Sequence, residues 1–302
     1  MYLIKDLSAG TRVVDFFAVR EAAIRRTKNG DAYLEVKLTD GQDNITARMW
    51  DYNYTFCPAG NTVVKVDATV GEYRGQLQMT LNRIRPAEEG EYSPRDFLPA
   101  CPEDIAGLEQ KISGYITGIG NPVLAEAVMQ IWSDHPEFND APAAMEHHHA
   151  YLGGLLHHTV NVVQKALSIG EEHPEIDRDL VVVGALLHDV GKIKTYDWSG
   201  ITIGMTDEGR FLGHIVLGLS LVGPYLEPLD WLAKNKLLHI IAAHHGKMEW
   251  GSPVEPAIPE AMAVFLADLA DARLYKMFNA RPENGNWSAY LPDLGRVWVG
   301  DK

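Results

Sequence analysis

The sequence predicts an α+β multidomain protein in which a small antiparallel β-barrel precedes an all-α domain. Three observations carry this prediction. Residues 1–86 contain five short runs with β-type patterning, separated by turn residues. Residues 87–110 are rich in Pro, Glu and Gly, which is typical of a linker. From residue 111 to 302, apolar residues recur at i, i+3, i+4 and i+7, the spacing of amphipathic helices.

Turn residues divide the first 86 residues into strands. Asn29-Gly30 favours a tight hairpin, and Asp40-Gly41 reverses the chain again. Residues 32–38 alternate apolar and polar side chains with the period of two that a half-buried strand requires. Five strands in fewer than 90 residues indicate a small barrel. The predicted strands cover residues 13–19, 32–38, 45–50, 62–68 and 76–84.

Helix signals dominate the remainder of the chain. Pro259 suits the first turn of a helix, whereas Gly191 and Gly246 suit helix ends. These signals give the all-α domain at least five helices. The clearest helical segments are residues 155–169, 180–190, 211–226, 234–245 and 259–278.

Charge is distributed unevenly along the chain, whose formal net charge is −14. Residues 1–86 hold 12 Lys+Arg and 10 Asp+Glu, a net of +2. Residues 87–302 hold 15 Lys+Arg and 31 Asp+Glu, a net of −16. The total argues against a protein that coats nucleic acid, but the first part remains free to meet a polyanion. Bound metal ions can neutralise part of the acid in the second part.

The cysteines and the apolar runs bear on cellular location. Cys57 and Cys101 are too few for a disulfide framework, which favours a reduced, cytoplasmic protein. The N-terminus lacks the basic and apolar regions of a signal peptide. The longest apolar runs are shorter than the roughly 20 residues that span a bilayer. We therefore expect no membrane segment, and we leave open whether the chain forms a homo-oligomer.

Histidine and aspartate lie inside apolar helical segments, where an unpaired polar side chain costs free energy. One such histidine is usually a satisfied core residue. Five successive helices that each supply a histidine or an aspartate indicate a metal site instead. The residues concerned are His157-His158, His188-Asp189, His214, His244-His245, and Asp268 with Asp271.

Imidazole and carboxylate together suit Mn, Fe, Co, Ni or Zn. The carboxylate of the His188-Asp189 pair can bridge two metals. Two metals about 3.5–4 Å apart can generate a hydroxide and stabilise an in-line displacement at phosphorus. Lys192, three residues after Asp189, can place its ammonium on the phosphate; the alternative is a solvated lysine favoured by the helix dipole.

The ordered set resembles the HD superfamily, whose pattern is H…HD…H…HH…D. Spacings of 30, 26, 30 and 24 residues separate the successive elements, which fits one contribution per helix. The resemblance implies a ligand set of His158, His188, Asp189, His214, His244, His245 and Asp268. It favours Asp268 over Asp271 as ligand, and leaves open which of His244 and His245 binds.

Longer strings resemble the YhaM-type 3′-5′ exoribonuclease family, chiefly HHHAYLGGLLHHT, GALLHDVGK, GRFLGHIVLG, AAHHGKMEWGSPVEP and PEAMAVFLADLADA. The resemblance implies an OB-fold domain at 1–86, a linker at 87–110 and an HD domain at 111–302. It further implies hydrolysis with two divalent cations, Mn²⁺ foremost, that releases 5′-nucleotides from the 3′ end of single-stranded RNA. Asp189, Lys192 and His188 are then the catalytic candidates. His157 departs from the family, where Glu is expected, so either His157 or His158 can point inward.

An OB barrel binds single strands with aromatic platforms and a basic groove. Trp50, which ends a strand, is the first candidate for base stacking; each aromatic can instead be barrel core. Within the triplet 147–149, two histidines are expected to line the substrate entrance or to begin a helix. The full set of candidates is Trp50, Tyr33, Phe17, Arg25, Arg26, Lys28, Arg48, Arg74, His148 and His149.

Three functions remain open at this point. The first is a 3′-5′ exoribonuclease that accepts single-stranded RNA, and single-stranded DNA as a variant, because recognition of the 2′-hydroxyl cannot be read from sequence. The second is an HD phosphohydrolase for a small nucleotide. The third is a non-enzymatic binding protein with an inactive HD domain, which the intact ligand set disfavours.

Overall fold

The chain divides into two compact units. Unit 1 comprises Met1–Ala100 together with Trp198–Gly204, and unit 2 comprises Cys101–Asp197 and Met205–Lys302. The computed structural model describes residues 2–53, 56–146 and 149–300. Each unit is described by itself.

Unit 1 contains a closed five-stranded barrel with the order β1-β2-β3-β5-β4. All neighbouring strands are antiparallel except β3 and β5, which pair in parallel. The sequence predicted a wholly antiparallel barrel, but a closed ring with an odd number of strands must contain a parallel pair. The strands are β1 Arg12–Arg26, β2 Ala32–Thr39, β3 Asn44–Met49, β4 Val63–Tyr73 and β5 Gln76–Pro86.

Strand β1 is longer than predicted and pairs with two neighbouring strands. Its first half pairs with β4 and its second half with β2, with a register shift between Val19 and Glu21. Arg25 and Arg26, which lie beyond the predicted strand of residues 13–19, therefore belong to β1. The prediction that Phe17 is a stacking platform is wrong: Phe17 is fully buried in the barrel core, because alternate residues of β1 face inward.

The segment predicted as a linker is partly structured. Phe97 packs with Ala18 and Val63 of the barrel, and Ala87 and Tyr92 contact this cluster. Residues 87–100 therefore belong to unit 1. The first helix of unit 2 begins within the predicted linker, at Ile105.

Unit 2 is mainly helical among the residues that the structure describes. Its central helix is α4, in which every residue from 180 to 187 is buried. The helices are α1 Ile105–Thr117, α2 Pro122–Asp134, α3 Gly154–Glu171, α4 Arg178–Leu187, α5 Lys192–Thr195, α6 Asp207–Val222, α7 Trp231–Ala243 and α8 Pro259–Asn279. The short strands are β6 Tyr196–Asp197, β7 Gly204–Met205, β8 Pro282–Asn284 and β9 Trp287–Ser288.

Local sequence sets the helix boundaries. The side chains of Asp104, Asp177, Thr206 and Asp230 each accept a hydrogen bond from a backbone N–H in the first turn of a helix. Such caps satisfy donors that the helix itself leaves free. Pro259 stands at the start of α8, as predicted.

Two glycines shape the region around α6. Gly213, at φ 71° and ψ 160°, breaks the helix directly before His214. A Cβ at Gly191 would overlap the backbone of His214 and Gly218, so glycine allows the start of α5 to approach α6.

Asp207–Leu226 is also long and apolar enough to cross a membrane by length and composition alone, a test that a helix of a soluble protein can pass.

Candidate metal centre

Five helices of unit 2 bring the seven predicted ligands together. His158 comes from α3, His214 from α6 and Asp268 from α8. The His188-Asp189 pair directly follows α4, and the His244-His245 pair directly follows α7. His158, His188, Asp189 and His244 are buried, and the other three are partly buried.

The carboxylate of Asp189 lies at the middle of this cluster. Its Oδ2 is 3.4 Å from Nε2 of His158 and 3.4 Å from Nε2 of His188. Its Oδ1 is 3.5 Å from Nε2 of His214 and 3.5 Å from Nε2 of His244. The two oxygens therefore face two different pairs of imidazoles.

These pairs define two subsites. Subsite 1 contains His158 and His188, whose Nε2 atoms are 3.2 Å apart, with Oδ1 of Asp268 at 3.3 Å from Nε2 of His158. Subsite 2 contains His214 and His244, whose Nε2 atoms are 3.4 Å apart, together with His245. Asp189 contributes one oxygen to each subsite.

Backbone carbonyls orient three of the rings. Nδ1 of His188 donates to the carbonyl of Ala185 at 2.8 Å, and Nδ1 of His244 donates to that of Ile241 at 2.7 Å. Nδ1 of His245 donates to the carbonyl of Trp250 at 2.9 Å. Because a carbonyl only accepts, the Nδ1 atom carries the proton in each ring. In the neutral ring Nε2 then keeps the lone pair that binds a metal.

The cluster fits divalent cations. Oδ1 of Asp189 is buried and has no hydrogen-bond partner among the residues that the structure describes. Several imidazole nitrogens also face one another at hydrogen-bond distance, although only one of each pair can donate. Cations between them would satisfy these acceptors and would offset the cost of burying them. The donor set of imidazole and carboxylate suits the later first-row metals.

Electrostatics keep the carboxylates ionised. Burial raises the pKa of Asp189, but the charge of Lys192 and the nearby imidazoles hold that pKa well below its usual value. Burial also raises the pKa of Asp268, and the hydrogen bond with His158 more than reverses this. Burial lowers the pKa of His214 well below the ordinary value, which favours the neutral ring.

His158 and Lys192 carry the positive charge of the cluster. Burial lowers the pKa of His158, but its hydrogen bonds to Asp189, Asp268 and Asp271 raise it well above the ordinary value. A proton and a cation therefore compete for Nε2 of this ring. Nζ of Lys192 lies 2.6 Å from Oδ2 of Asp189, and this contact raises the lysine pKa despite burial.

A second layer of residues supports subsite 1 from behind. Oδ2 of Asp271 accepts from Nδ1 of His158 at 2.8 Å and from Nε2 of His149 at 2.9 Å. Nζ of Lys165 donates to its Oδ1 at 2.8 Å. The hydroxyl of Tyr151 lies 2.6 Å from Nδ1 of His149. Sequence patterns gave no signal for Lys165, because its spacing to Asp271 is long range. They also gave no signal for Tyr151, which contacts His149 two residues before it.

Two predictions about histidines are decided by this layer. His158 points into the cluster, whereas Nδ1 of His157 lies 2.8 Å from the hydroxyl of Tyr151. The prediction that His149 lines the substrate entrance is wrong. His149 is buried, bonded to Asp271 and Tyr151, and burial lowers its pKa to about 4. His148 lies outside the described residues.

The barrel brings together the aromatic candidates that remain. The rings of Tyr33 and Trp50 lie 5.0 Å apart, and Trp50 is 47% exposed. Glu35, which the sequence did not single out, forms ion pairs at 2.8 Å with both Arg25 and Arg48. These two arginines are therefore partly neutralised.

The other basic candidates of the barrel, Arg26, Lys28 and Arg74, are exposed. Arg26 donates to the carbonyl of Gly30 at 2.8 Å, and Lys28 is exposed in the hairpin turn. The guanidinium of Arg74 lies 5.3 Å from the ring centroid of Tyr73. These residues keep charge at the surface of unit 1.

A cleft of about 410 Å³ opens onto the cluster of candidate metal ligands. Asp189, Lys192, His214, His245 and Asp268 line it. Trp250, Phe265 and Leu269 also line it. The volume lies within the range of small-molecule sites.

Comparison with known proteins agrees with this architecture. A family model described as HD domain matches residues 155–273. A second model, TraI_2, described as a helicase, matches residues 113–174. The 3′-5′ exoribonuclease YhaM of Bacillus velezensis is 35% identical over 278 residues, covering 90% of this chain and 88% of the relative.

Two solved structures align with less than a third of this chain. The second OB-fold domain of replication protein A from Methanococcus maripaludis aligns with a TM-score of 0.25 and 17% identity, over 30% of this chain and 98% of that domain. A replication protein A heterotrimer bound to single-stranded DNA aligns with a TM-score of 0.23 and 18% identity, over 29% of this chain and 65% of the other.

Proposed function

This chain belongs to the YhaM family of 3′-5′ exoribonucleases, and we propose that it hydrolyses single-stranded RNA from the 3′ end, releasing 5′-mononucleotides. It joins an OB-fold barrel to a helical HD domain, an architecture of a metal-dependent nuclease. The single observation that carries the proposal is Asp189, whose two oxygens face two separate imidazole pairs. Such a carboxylate suits a site for two cations.

We propose that subsite 1 binds one cation through His158, His188, Asp189 and Asp268. Subsite 2 binds the second through His214, His244, His245 and Asp189. Mn²⁺ is the first choice, with Fe, Co, Ni and Zn as alternatives, because imidazole ligands suit these metals. Two such cations supply a nucleophile at neutral pH and stabilise charge during in-line displacement at phosphorus.

The protein's own groups position and neutralise the phosphate. Lys192 is held charged by Asp189 and lines the cleft, so its ammonium is proposed to meet a phosphate oxygen. The bonds from Nδ1 of His188, His244 and His245 to carbonyls fix the direction of the ligand nitrogens. This fixed orientation favours catalysis because no reorganisation is needed during the reaction.

The barrel is proposed to hold the single strand on its way to unit 2. Trp50 and Tyr33 offer stacking surfaces, and Lys28, Arg26 and Arg74 offer positive charge. Stacking and backbone contacts do not read the 2′-hydroxyl, so single-stranded DNA is proposed as a second substrate. The two free cysteines support a reducing, cytoplasmic location as a further proposal.

The test uses a 5′-labelled single-stranded RNA oligomer, incubated with the protein in Mn²⁺ or in EDTA and resolved on a sequencing gel. We expect a ladder that shortens from the 3′ end only with Mn²⁺. Asp189→Asn should abolish the ladder, whereas Glu255→Gln, an exposed acid-to-amide control, should not. An intact oligomer across several metals would contradict the proposal and direct attention to small nucleotides.

A further inference from the structure

Two chemically different sets of residues line the cleft beside the candidate ligands. The polar set includes Asp189, Lys192 and His214, which suit cations and phosphate. The apolar set includes Trp250, Phe265 and Leu269, which are not candidate metal ligands. A nucleotide has the same division, with a phosphate at one end and an aromatic base at the other.

Trp250 is the largest of the apolar side chains that line the cleft, and its backbone is held against the candidate ligand His245. Its backbone carbonyl accepts the Nδ1 proton of His245 at 2.9 Å. Gly251, at φ 93°, ends the short turn that carries it. The ring lies 6.2 Å from that of Phe265, yet 42% of the residue remains exposed. The turn therefore presents an aromatic surface beside subsite 2.

Two cations flank this ring. Nζ of Lys247 lies 5.2 Å from the ring centroid, and Cζ of Arg273 lies 5.8 Å from it. Within residues 2–53, 56–146 and 149–300, neither side chain makes a hydrogen bond or a salt bridge. Arg273 also interacts electrostatically with the carboxylate of Asp293 and helps to lower its pKa. Residues 87–302 carry a net charge of −16, and in this acidic part of the chain a lysine and an arginine beside an aromatic ring indicate an anionic ligand.

We infer that Trp250 binds the base of the 3′-terminal nucleotide, and that Lys247 and Arg273 meet a neighbouring phosphate of the same strand. The inference rests on the proposed function and adds a base subsite to it. The volume of about 410 Å³ suits one terminal nucleotide better than a longer segment. Base–aromatic contact is tolerant of sequence, as a processive exonuclease requires.

The test compares two RNA oligomers that differ only at the 3′-terminal nucleotide, which either carries its base or is abasic. The wild-type protein should cleave the complete oligomer with a KM roughly 5- to 150-fold lower than that of the abasic one, the range expected for one stacked base. In Trp250→Ala, this preference should disappear. Trp250→Phe should retain most of it.

Met248→Ala is the matched control, because Met248 is an exposed apolar residue of the same turn that does not line the cleft. It should keep the wild-type preference. The backbone carbonyl that orients His245 is retained in every variant. A purely structural effect of Trp250 would therefore lower cleavage of both oligomers equally, and this outcome would overturn the base subsite.

Other outcomes separate the subsite from the proposed function. Equal cleavage of both oligomers by the wild-type protein would overturn the subsite and leave the exoribonuclease intact. Cleavage of neither would overturn the exoribonuclease. Calorimetric titration of the Mn²⁺-loaded protein then decides the subsite by itself: adenosine 5′-monophosphate should bind more tightly than ribose 5-phosphate, and Trp250→Ala should remove the difference. Equal binding would overturn it.

Discussion

The carboxylate of Asp271 lies 2.8 Å from Nδ1 of His158, on the side of the ring opposite the metal cluster. Nε2 of the same ring faces Asp268, which precedes Asp271 by one helical turn on α8. One helix thus supplies both a candidate ligand, Asp268, and the group that orients a second candidate ligand, His158. An acceptor on Nδ1 fixes the tautomer and increases the basicity of Nε2.

The first prediction concerns this orientation. Asp271→Asn keeps the shape of the side chain but removes the charge behind His158. We expect the Mn²⁺ concentration for half-maximal activity to rise about 10- to 100-fold, with most of the maximal rate recovered at saturating Mn²⁺. Activity measured across a Mn²⁺ titration checks this, with Glu172→Gln as exposed control. An unchanged midpoint of the Mn²⁺ titration would show that Asp271 contributes to folding but not to metal binding.

The second prediction concerns the carboxylate of Asp189, which lies between the two subsites. Asp189→Asn should lower kcat by about 10³-fold or more, because it removes a ligand of both subsites and several kcal/mol of charge stabilisation. Elemental analysis of the dialysed protein should find fewer bound metal ions per chain than in the wild type. Two ions per chain and unchanged kcat in the variant would show that Asp189 does not bridge.

Sequence patterns were informative where the physical cause is local. Histidine within an apolar helix is costly unless it is bonded, so His158, His188 and His214 stand out from their neighbours. The hairpin at Asn29-Gly30 follows from backbone preference alone. The fold class could be predicted on these grounds, and the candidate ligands that they single out lie close together in the structure.

Contacts between segments that are distant in the sequence could not be predicted from local patterns. Phe16 and Phe17 are indistinguishable in sequence, and only the register of β1 in the closed barrel buries Phe17. His149 resembles a surface histidine until α8 brings Asp271 against it. Trp250 became a candidate only when the cleft placed it beside His245. Each of these depends on contacts between distant segments.

The third prediction tests the close approach at Gly191. Gly191→Ala would force its Cβ against the backbone of His214 and Gly218, which cannot yield as a flexible side chain can. We expect the free energy of unfolding to fall by about 1–3 kcal/mol, with weaker metal binding at subsite 2. Urea denaturation checks the stability.

The control for this substitution is Gly170→Ala, near the end of α3, where no heavy atom lies within 4 Å of the new Cβ. It should be neutral or should stabilise the protein by about 0.5–1 kcal/mol, because alanine favours helix. Equal stability of both variants would show that α5 and α6 can separate without cost.

The fourth prediction separates binding from packing in the barrel. Trp50→Ala removes an exposed ring that contacts Tyr33, so the KM for single-stranded RNA should rise roughly 5- to 150-fold with little change in stability. Phe17→Ala removes a fully buried ring and should cost about 3–5 kcal/mol of stability. Kinetics and urea denaturation on both variants distinguish the two roles. If Trp50→Ala leaves KM unchanged while the protein remains folded, the strand reaches the HD domain without stacking on Trp50, and the barrel must bind RNA by its charged side chains or have another partner.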